Sequence, residues 1–219
     1  LVISTGFMTM RALDAAVALE RDGINVAVLH VPTIKPLDRE TILAEARKGG
    51  RLVVLPTDTL YGIGADAFDS TAVAALLRAK GRGRDMPVPV LVGSWHTIDG
   101  LVLSMRPQAR DLVRAFWPGG LSLVVQQAPS LAWDLGDTRG TVMVRMPLHP
   151  VALELLREVG PMAVSSANIS GQPPARTADE ARTQLGDAVS VYLDGGPAPH
   201  AVASTIVARA ARSRTGRPM

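Results

Sequence analysis

Arg51-Leu52-Val53-Val54-Leu55-Pro56-Thr57-Asp58-Thr59-Leu60-Tyr61-Gly62-Ile63-Gly64 is the stretch whose reading decides the fold of this chain. Leu52 to Leu55 is an apolar run without polar alternation, the pattern of a strand buried on both faces under covering helices. Pro56 to Gly64 then reads as a Thr- and Gly-rich loop, and Ser70 to Lys80 as a helix capped by Ser70. Strand, loop and helix in this order predict an α/β unit. The loop leaves the strand where open α/β sheets place their ligand contacts.

Toward the C terminus the alternation continues. Val88 to Val92 reads as a strand, and Pro89 within it predicts an edge or a bulge. Pro107 to Trp117 is a helix closed by Pro118-Gly119-Gly120, followed by strands at Leu121 to Val125 and Thr141 to Arg145. Val151 to Val159 reads as a helix, Met162 to Val164 as a strand, Ala178 to Leu185 as a helix and Val189 to Leu193 as a strand. Interleaved helices and strands give an α/β class with a mixed sheet.

Toward the N terminus, Leu1 to Ser4 reads as a strand. A helix carrying Leu13, Ala16, Val17 and Ala18 runs up to Arg21-Asp22-Gly23. Ile24 to Val31 is a second strand, and Asp38 caps a helix from Arg39 to Lys48 before Gly49-Gly50, completing a βαβα unit. Residues 1–23 are expected to pack loosely or at an edge. Residues 208–219, rich in Ala, Arg and Ser without an apolar period, are expected to be a disordered tail. The chain thus divides at 1–50, 51–207 and 208–219.

The 219 residues are 47% apolar, enough for one substantial core. No apolar run is long enough to cross a membrane and no secretory pattern opens the chain, which predicts a cytoplasmic protein with no membrane partner. The absence of cysteine excludes disulfides, thiolate nucleophiles and Cys-type zinc sites, and suits a reducing compartment. His30, His96, His149 and His200 lack ligand spacing, so no metal site is predicted. Aromatic residues make up only 4%, which argues against a stacking platform for single strands. The net charge of +3 is small, but arginines gather at 78–84 and 209–217 and could meet a polyanion, a nucleoside triphosphate or water.

Several segments could carry chemistry. The hydroxyls of the 56–64 loop suit a small polar ligand; equally, Thr57 and Asp58 could serve only the backbone of a turn. The loop is no P-loop, since no Gly-Lys-Ser/Thr follows. Lys80-Gly81-Arg82-Gly83-Arg84 could converge on a phosphate chain, with arginine forking onto two oxygens, or could simply place cations at a helix C terminus. Ser165-Ser166-Ala167-Asn168-Ile169-Ser170-Gly171 follows an apolar run and can bind phosphate through side chains and amides. A nucleophilic serine is disfavoured, because there is no Gly-x-Ser-x-Gly elbow and no histidine stands as its base. Arg145, ending an apolar strand, calls for an anionic partner. Ser204-Thr205-Ile206-Val207 adds a hydroxyl pair.

Six segments in order, namely Pro56 to Gly62, Lys80-Gly81-Arg82, Trp117-Pro118-Gly119-Gly120-Leu121-Ser122, Val144-Arg145-Met146-Pro147, Ser165 to Gly171 and Ser204 to Val207, together resemble the Sua5/YciO/YrdC family of threonylcarbamoyl-adenylate synthases. The resemblance implies a twisted, mixed open sheet of the YrdC/RibB-like type around a basic concave cavity. There ATP, L-threonine and bicarbonate become threonylcarbamoyl-AMP and pyrophosphate. The threonine nitrogen is carboxylated to a carbamate that attacks the α-phosphorus, and the product feeds N6-threonylcarbamoyladenosine formation at position 37 of tRNA. It further implies Lys80, Arg82, Ser122, Ser166 and Asn168 on ATP, with Ser122 replacing the more usual threonine. Thr57, Thr59, Tyr61 and Ser204 would sit around the threonine. Lys80, Arg82 and Arg145 would be the catalytic cations, Mg²⁺ would accompany ATP, and proteins of the tRNA-modification pathway would be partners.

The chain departs from this pattern in three places. Residues 1–50, with Ile3 to Met10 and Val31 to Asp38, resemble the C-terminal domain of transketolases instead, without the thiamine-binding parts. After Val207 the family continues with an aspartate and an Arg-Pro-Gly strand, where this chain has an arginine-rich tail. No C-terminal Sua5 domain follows in this sequence, which predicts a YrdC-like single catalytic unit or a damaged copy of a longer protein. The alternatives to an active synthase are a module that binds tRNA or double-stranded RNA through the same basic concavity, and a catalytically impaired chimera.

Overall fold

Two sheets organise the computed structural model, which describes residues 2–4, 8–21, 28–30, 51–199 and 202–208. In the smaller sheet β1 (Val2–Ser4) and β2 (Val28–His30) pair in parallel, with α1 (Met8–Glu20) between them in the chain. This is the βαβ part of the expected βαβα unit. The helix expected behind Asp38 and the tail beyond Ala208 lie outside the described residues.

The larger sheet holds β3 (Val53–Leu55), β4 (Gly62–Asp66), β5 (Val90–Leu91), β6 (Leu121–Gln126), β7 (Thr141–Arg145), β8 (Met162–Ser166), β9 (Val191–Tyr192) and β10 (Thr205–Ala208). Their order is β10-β6-β7-β5-β8-β4-β3-β9. β10 with β6, β5 with β7 and β3 with β9 pair in parallel, and the other neighbours are antiparallel, so the sheet is open and mixed. Around it run α2 (Ser70–Ala79), α3 (Ile98–Leu101), α4 (Pro107–Phe116), α5 (Pro150–Val159) and α6 (Ala178–Leu185).

Strand alternation assigns the two faces of this sheet. Ile63, Ala65, Val90, Leu121, Leu123, Val142, Val144 and Ala163 enter the main core, which also takes Ala72, Val73, Leu76 and Leu77 from α2, Val113 from α4, and Ala178, Ala181 and Leu185 from α6. On the other face Leu55, Leu91, Met162 and Val164 meet Ala152 and Leu156 of α5 in a smaller cluster. Among the described residues α5 covers only part of that face, and the rest becomes the floor of a cavity.

Three local expectations are corrected. The cap of α2 is Asp69, not Ser70: its carboxylate accepts from Thr71 N at 2.9 Å and Ala72 N at 3.0 Å. β5 is not an edge strand but lies between β7 and β8. It is only two residues long, so Pro89 falls just before it, and the carbonyl of Pro89 still accepts from Val164 N at 2.8 Å. The end of the 56–64 loop is itself a strand, β4. Its two glycines hide the strand signal, yet a Cβ on Gly62 would stand 2.6 Å from Val164 Cγ1, so close packing of β4 on β8 requires glycine there.

Candidate functional site

The uncovered floor carries a cavity of about 330 Å³. Its floor follows the two-residue period of the strands: Ser122 on β6, Met143 and Arg145 on β7, Leu91 on β5, Val164 and Ser166 on β8, and Gly62 on β4. Ile206 of β10, the register partner of Ser122, extends it on one side. Pro87 and Met86 enter from the segment before β5. The wall also receives Thr57, Thr59 and Tyr61 from the loop after β3, Arg82 from the segment after α2, and Ser204 from the approach to β10. Eight of the ten anticipated residues therefore share one cavity, Thr57, Thr59, Tyr61, Arg82, Ser122, Arg145, Ser166 and Ser204.

Arg145 is 6% exposed and held on three sides. Nε donates to Gly119 O at 2.9 Å, Nη1 to Thr59 Oγ1 at 2.9 Å and Nη2 to Asp58 Oδ1 at 2.7 Å. Asp58 is the anionic partner that a buried strand-end arginine requires, and its Oδ1 also accepts from Leu148 N at 2.9 Å. Burial pulls the guanidinium pKa down while Asp58 opposes this, and the group stays charged at any pH the protein meets. Among the described residues three of its five N–H donors are engaged, which leaves two for a ligand anion. His149, just beyond, has its pKa lowered by burial against the weaker pull of Asp58, so the ring is neutral at pH 7.

Thr57 Oγ1 donates to Leu60 O at 2.6 Å, lies 3.0 Å from Thr59 Oγ1, and accepts from Thr59 N and Leu60 N. The loop is thus both a self-satisfied turn and a wall of the cavity. Thr59 passes the connection on to Arg145. Across the floor, Ser122 Oγ donates to Ser204 Oγ at 3.0 Å and ties β10 to β6.

Arg82 Nη1 donates to Ser165 Oγ at 3.2 Å, and its Nε is buried without a partner. A buried, unsatisfied guanidinium N–H on a cavity wall is the strongest local sign of an anionic ligand. Tyr61 differs from its neighbours: its hydroxyl donates to Gly196 O at 2.6 Å, lies 3.2 Å from Asp194 Oδ1 and accepts from Gly195 N, turned away toward the 194–196 loop. Burial, with Asp194 adding to it, pushes the phenol up to about 12, so it remains protonated.

Lys80 and Asn168 do not line the cavity. Lys80 Nζ donates to Ser166 O, to Asn168 O at 2.7 Å and to Asn168 Oδ1 at 3.2 Å. Asn168 Nδ2 in turn donates to Ile169 O at 2.9 Å and Gln172 O at 2.7 Å. Sequence reasoning missed Asp58 as the partner of Arg145, Ser165 as the partner of Arg82, and the apolar lining from Leu91, Met143 and Ile206. For the apolar set a signal existed, since each stands two residues from, or in register with, a predicted site residue.

Among the described residues the lining includes no aspartate, glutamate or histidine. What this arrangement can do is hold anions with two arginines and orient neutral groups with hydroxyls, in a pocket with an apolar floor. Among the described residues no group of three or more metal-ligating side chains gathers, and no helix is long and apolar enough to cross a membrane.

The Sua5/YciO/YrdC family model, described as telomere recombination, matches residues 45–217. A Mycobacterium tuberculosis relative, provisionally named a threonylcarbamoyl-AMP synthase, is 76% identical over 162 residues, 74% of this chain and 75% of its own length. The threonylcarbamoyl-AMP synthase of Bacillus subtilis is 38% identical over 159 residues, 71% of this chain and 46% of its own. The crystal structure of Pyrococcus abyssi Sua5 with L-threonine superposes with a TM-score of 0.74 at 34% identity, covering 79% of this chain and 52% of that one. The chain therefore spans about half the length of the Bacillus and Pyrococcus proteins.

Proposed function

The chain belongs to the Sua5/YciO/YrdC family, and from that premise we propose that it is a threonylcarbamoyl-AMP synthase, joining ATP, L-threonine and bicarbonate with release of pyrophosphate. The observation that carries the reading is the pairing of two arginines on one cavity wall with spare donors, Nε of Arg82 and two N–H groups of Arg145. The reaction brings together three anionic groups: the triphosphate, the threonine carboxylate and the carbamate formed on the threonine nitrogen. In that step the carbamate oxygen bonds to the α-phosphorus, the bond from this phosphorus to the bridging oxygen breaks, and pyrophosphate leaves with the electron pair.

Among the described residues no lining side chain is a carboxylate or imidazole that could act as general base. Catalysis would thus come from holding the reactants in line and stabilising charge on the transferring phosphorus. Arg82 and Ser166 would hold the nucleotide. Arg145, fixed by Asp58 and Thr59, would take the anionic end of the threonine, with Ser204 beside it and Ser122 toward the phosphates. Mg²⁺ bound to the triphosphate would neutralise part of its charge.

We assign the product to tRNA modification in the cytoplasm, with tRNA and pathway proteins as downstream partners. A cavity of about 330 Å³ suits small substrates better than a nucleic-acid duplex, which favours this reading over an RNA-binding module. The test is pyrophosphate release from ATP by the purified chain. Release that requires both L-threonine and bicarbonate supports the assignment, and release indifferent to threonine refutes it.

A further inference from the structure

Lys80 and Arg82 leave α2 two residues apart and take opposite courses. Arg82 reaches the cavity wall, where one guanidinium N–H has no partner. Lys80 is 1% exposed and turns beneath the segment formed by the end of β8 and the turn after it. An ammonium has three protons. Here three oxygens of that segment, Ser166 O, Asn168 O and Asn168 Oδ1, receive them. The main chain strengthens the same junction, because Ser170 N donates to Lys80 O at 2.9 Å. Asn168 closes the turn from its other side through its two amide protons.

We propose that Lys80 is a positioning residue rather than a phosphate ligand: with Asn168 it forms a buried clamp that presents Ser165 and Ser166 to the nucleotide, while Arg82 meets the phosphates. What the turn receives rests on the function proposed above; the clamp itself rests on the contacts alone. To reach a phosphate in the cavity, the ammonium would have to give up acceptors that already satisfy all its protons. Burial and the neighbouring Arg82 charge pull its pKa down to about 8.

Two measurements decide this. The first is acylation of the native chain with acetic anhydride, read at Lys80 by peptide mass spectrometry against the chain in denaturant, with and without ATP and Mg²⁺. The clamp predicts that Lys80 is at least about a hundredfold slower to react in the native chain than in denaturant, and equally slow with or without nucleotide. A Lys80 that reacts readily in the free chain, with or without protection by ATP, overturns the proposal.

The second compares Lys80→Met and Arg82→Met in binding ATP and adenosine. A clamp costs both ligands the same factor, about ten- to a hundredfold, whereas a phosphate ligand costs ATP far more than adenosine. Arg82→Met is expected to show the second pattern, and the same pattern for Lys80→Met would overturn the proposal. Asn168→Ala should reproduce the Lys80→Met factor, and the double variant should lose little more than either one. Should the unaltered chain bind no nucleotide, the synthase assignment fails, yet acylation of Lys80 still decides the clamp. It does so equally if the Lys80 variant does not fold.

Discussion

Arg145 and Lys80 are both buried cations, and they are kept in different ways. Arg145 is neutralised by Asp58 at 2.7 Å, with both side chains largely out of solvent. Removing one member of such a pair strands the other, so Asp58→Ala should lower stability by about 3–5 kcal/mol in urea melts, a loss that Asp58→Asn softens by retaining an acceptor. Arg145→Lys should keep the charge but lose the fork that holds Gly119, Thr59 and Asp58 at once. The turnover rate should fall about a hundredfold or more while the fold persists. Lys80 has no carboxylate, and the sign of its pH effects follows from a folded pKa of about 8 against the ordinary 10.5. Below about 8 the ammonium is intact and the clamp closed; as pH rises through that value one donor is lost, so ATP affinity should decline. Stability should move the other way. Between about 8 and 10.5 the unfolded chain binds the proton that the folded chain has released, so stability rises with pH there and is lost as pH falls through the folded pKa. Binding titrations and urea melts across that range, with Lys80→Met as the control whose two slopes disappear, test both signs.

At the level of elements, the segment from α2 to Arg82 depends on a cap one residue earlier than its sequence suggests. Asp-Ser-Thr offers three adjacent capping residues, and propensity does not choose among them; the structure chooses Asp69, whose φ of −95° and ψ of 96° keep it outside the helix while its carboxylate accepts two amides. Asp69→Ala should therefore cost about 1 kcal/mol by thermal melting, and Ser70→Ala almost nothing; the reverse order would contradict the observed cap. β4 was illegible for a related reason. Gly62 and Gly64 dilute its apolar pattern, because the signal records side chains and this strand is defined by their absence. Gly62→Ala would place a Cβ 2.6 Å from Val164 Cγ1 on the cavity floor. Overpacking of that kind costs about 1–3 kcal/mol, and should appear both as a lower melting temperature and as a raised KM for ATP. Long apolar or periodic segments such as α4, β7 and α6 were legible almost to the residue, since there burial and local propensity agree.

On the scale of the whole molecule, the site arises because one face of the eight-stranded sheet is only partly covered. Sequence could say that hydroxyls and arginines stand at strand ends, and eight of its ten candidates line one cavity. It could not say that Lys80 dives under the floor while Arg82 stays on it, because a two-residue offset on a glycine-flexed segment carries no period that points either way. Nor could it order the strands, which placed β10 beside β6 and brought Ser204 to Ser122. β10 completes the wall but contributes little to the core: all four of its residues are exposed, with Ile206 at 57%. Its attachment begins where Thr205 N donates to Gly120 O at 2.8 Å. Thr205→Pro removes that donor and disfavours the pairing that follows. Because β10 buries so little, the melting temperature should change by only a few degrees, in keeping with a loss of about 1 kcal/mol. The cavity should suffer more, since Ser204 and Ile206 leave its wall together; KM for threonine should rise about tenfold or more, with a smaller change for ATP. Were β10 a structural strand only, melting temperature and both KM values would fall or rise together, and steady-state kinetics beside a thermal melt would distinguish the two.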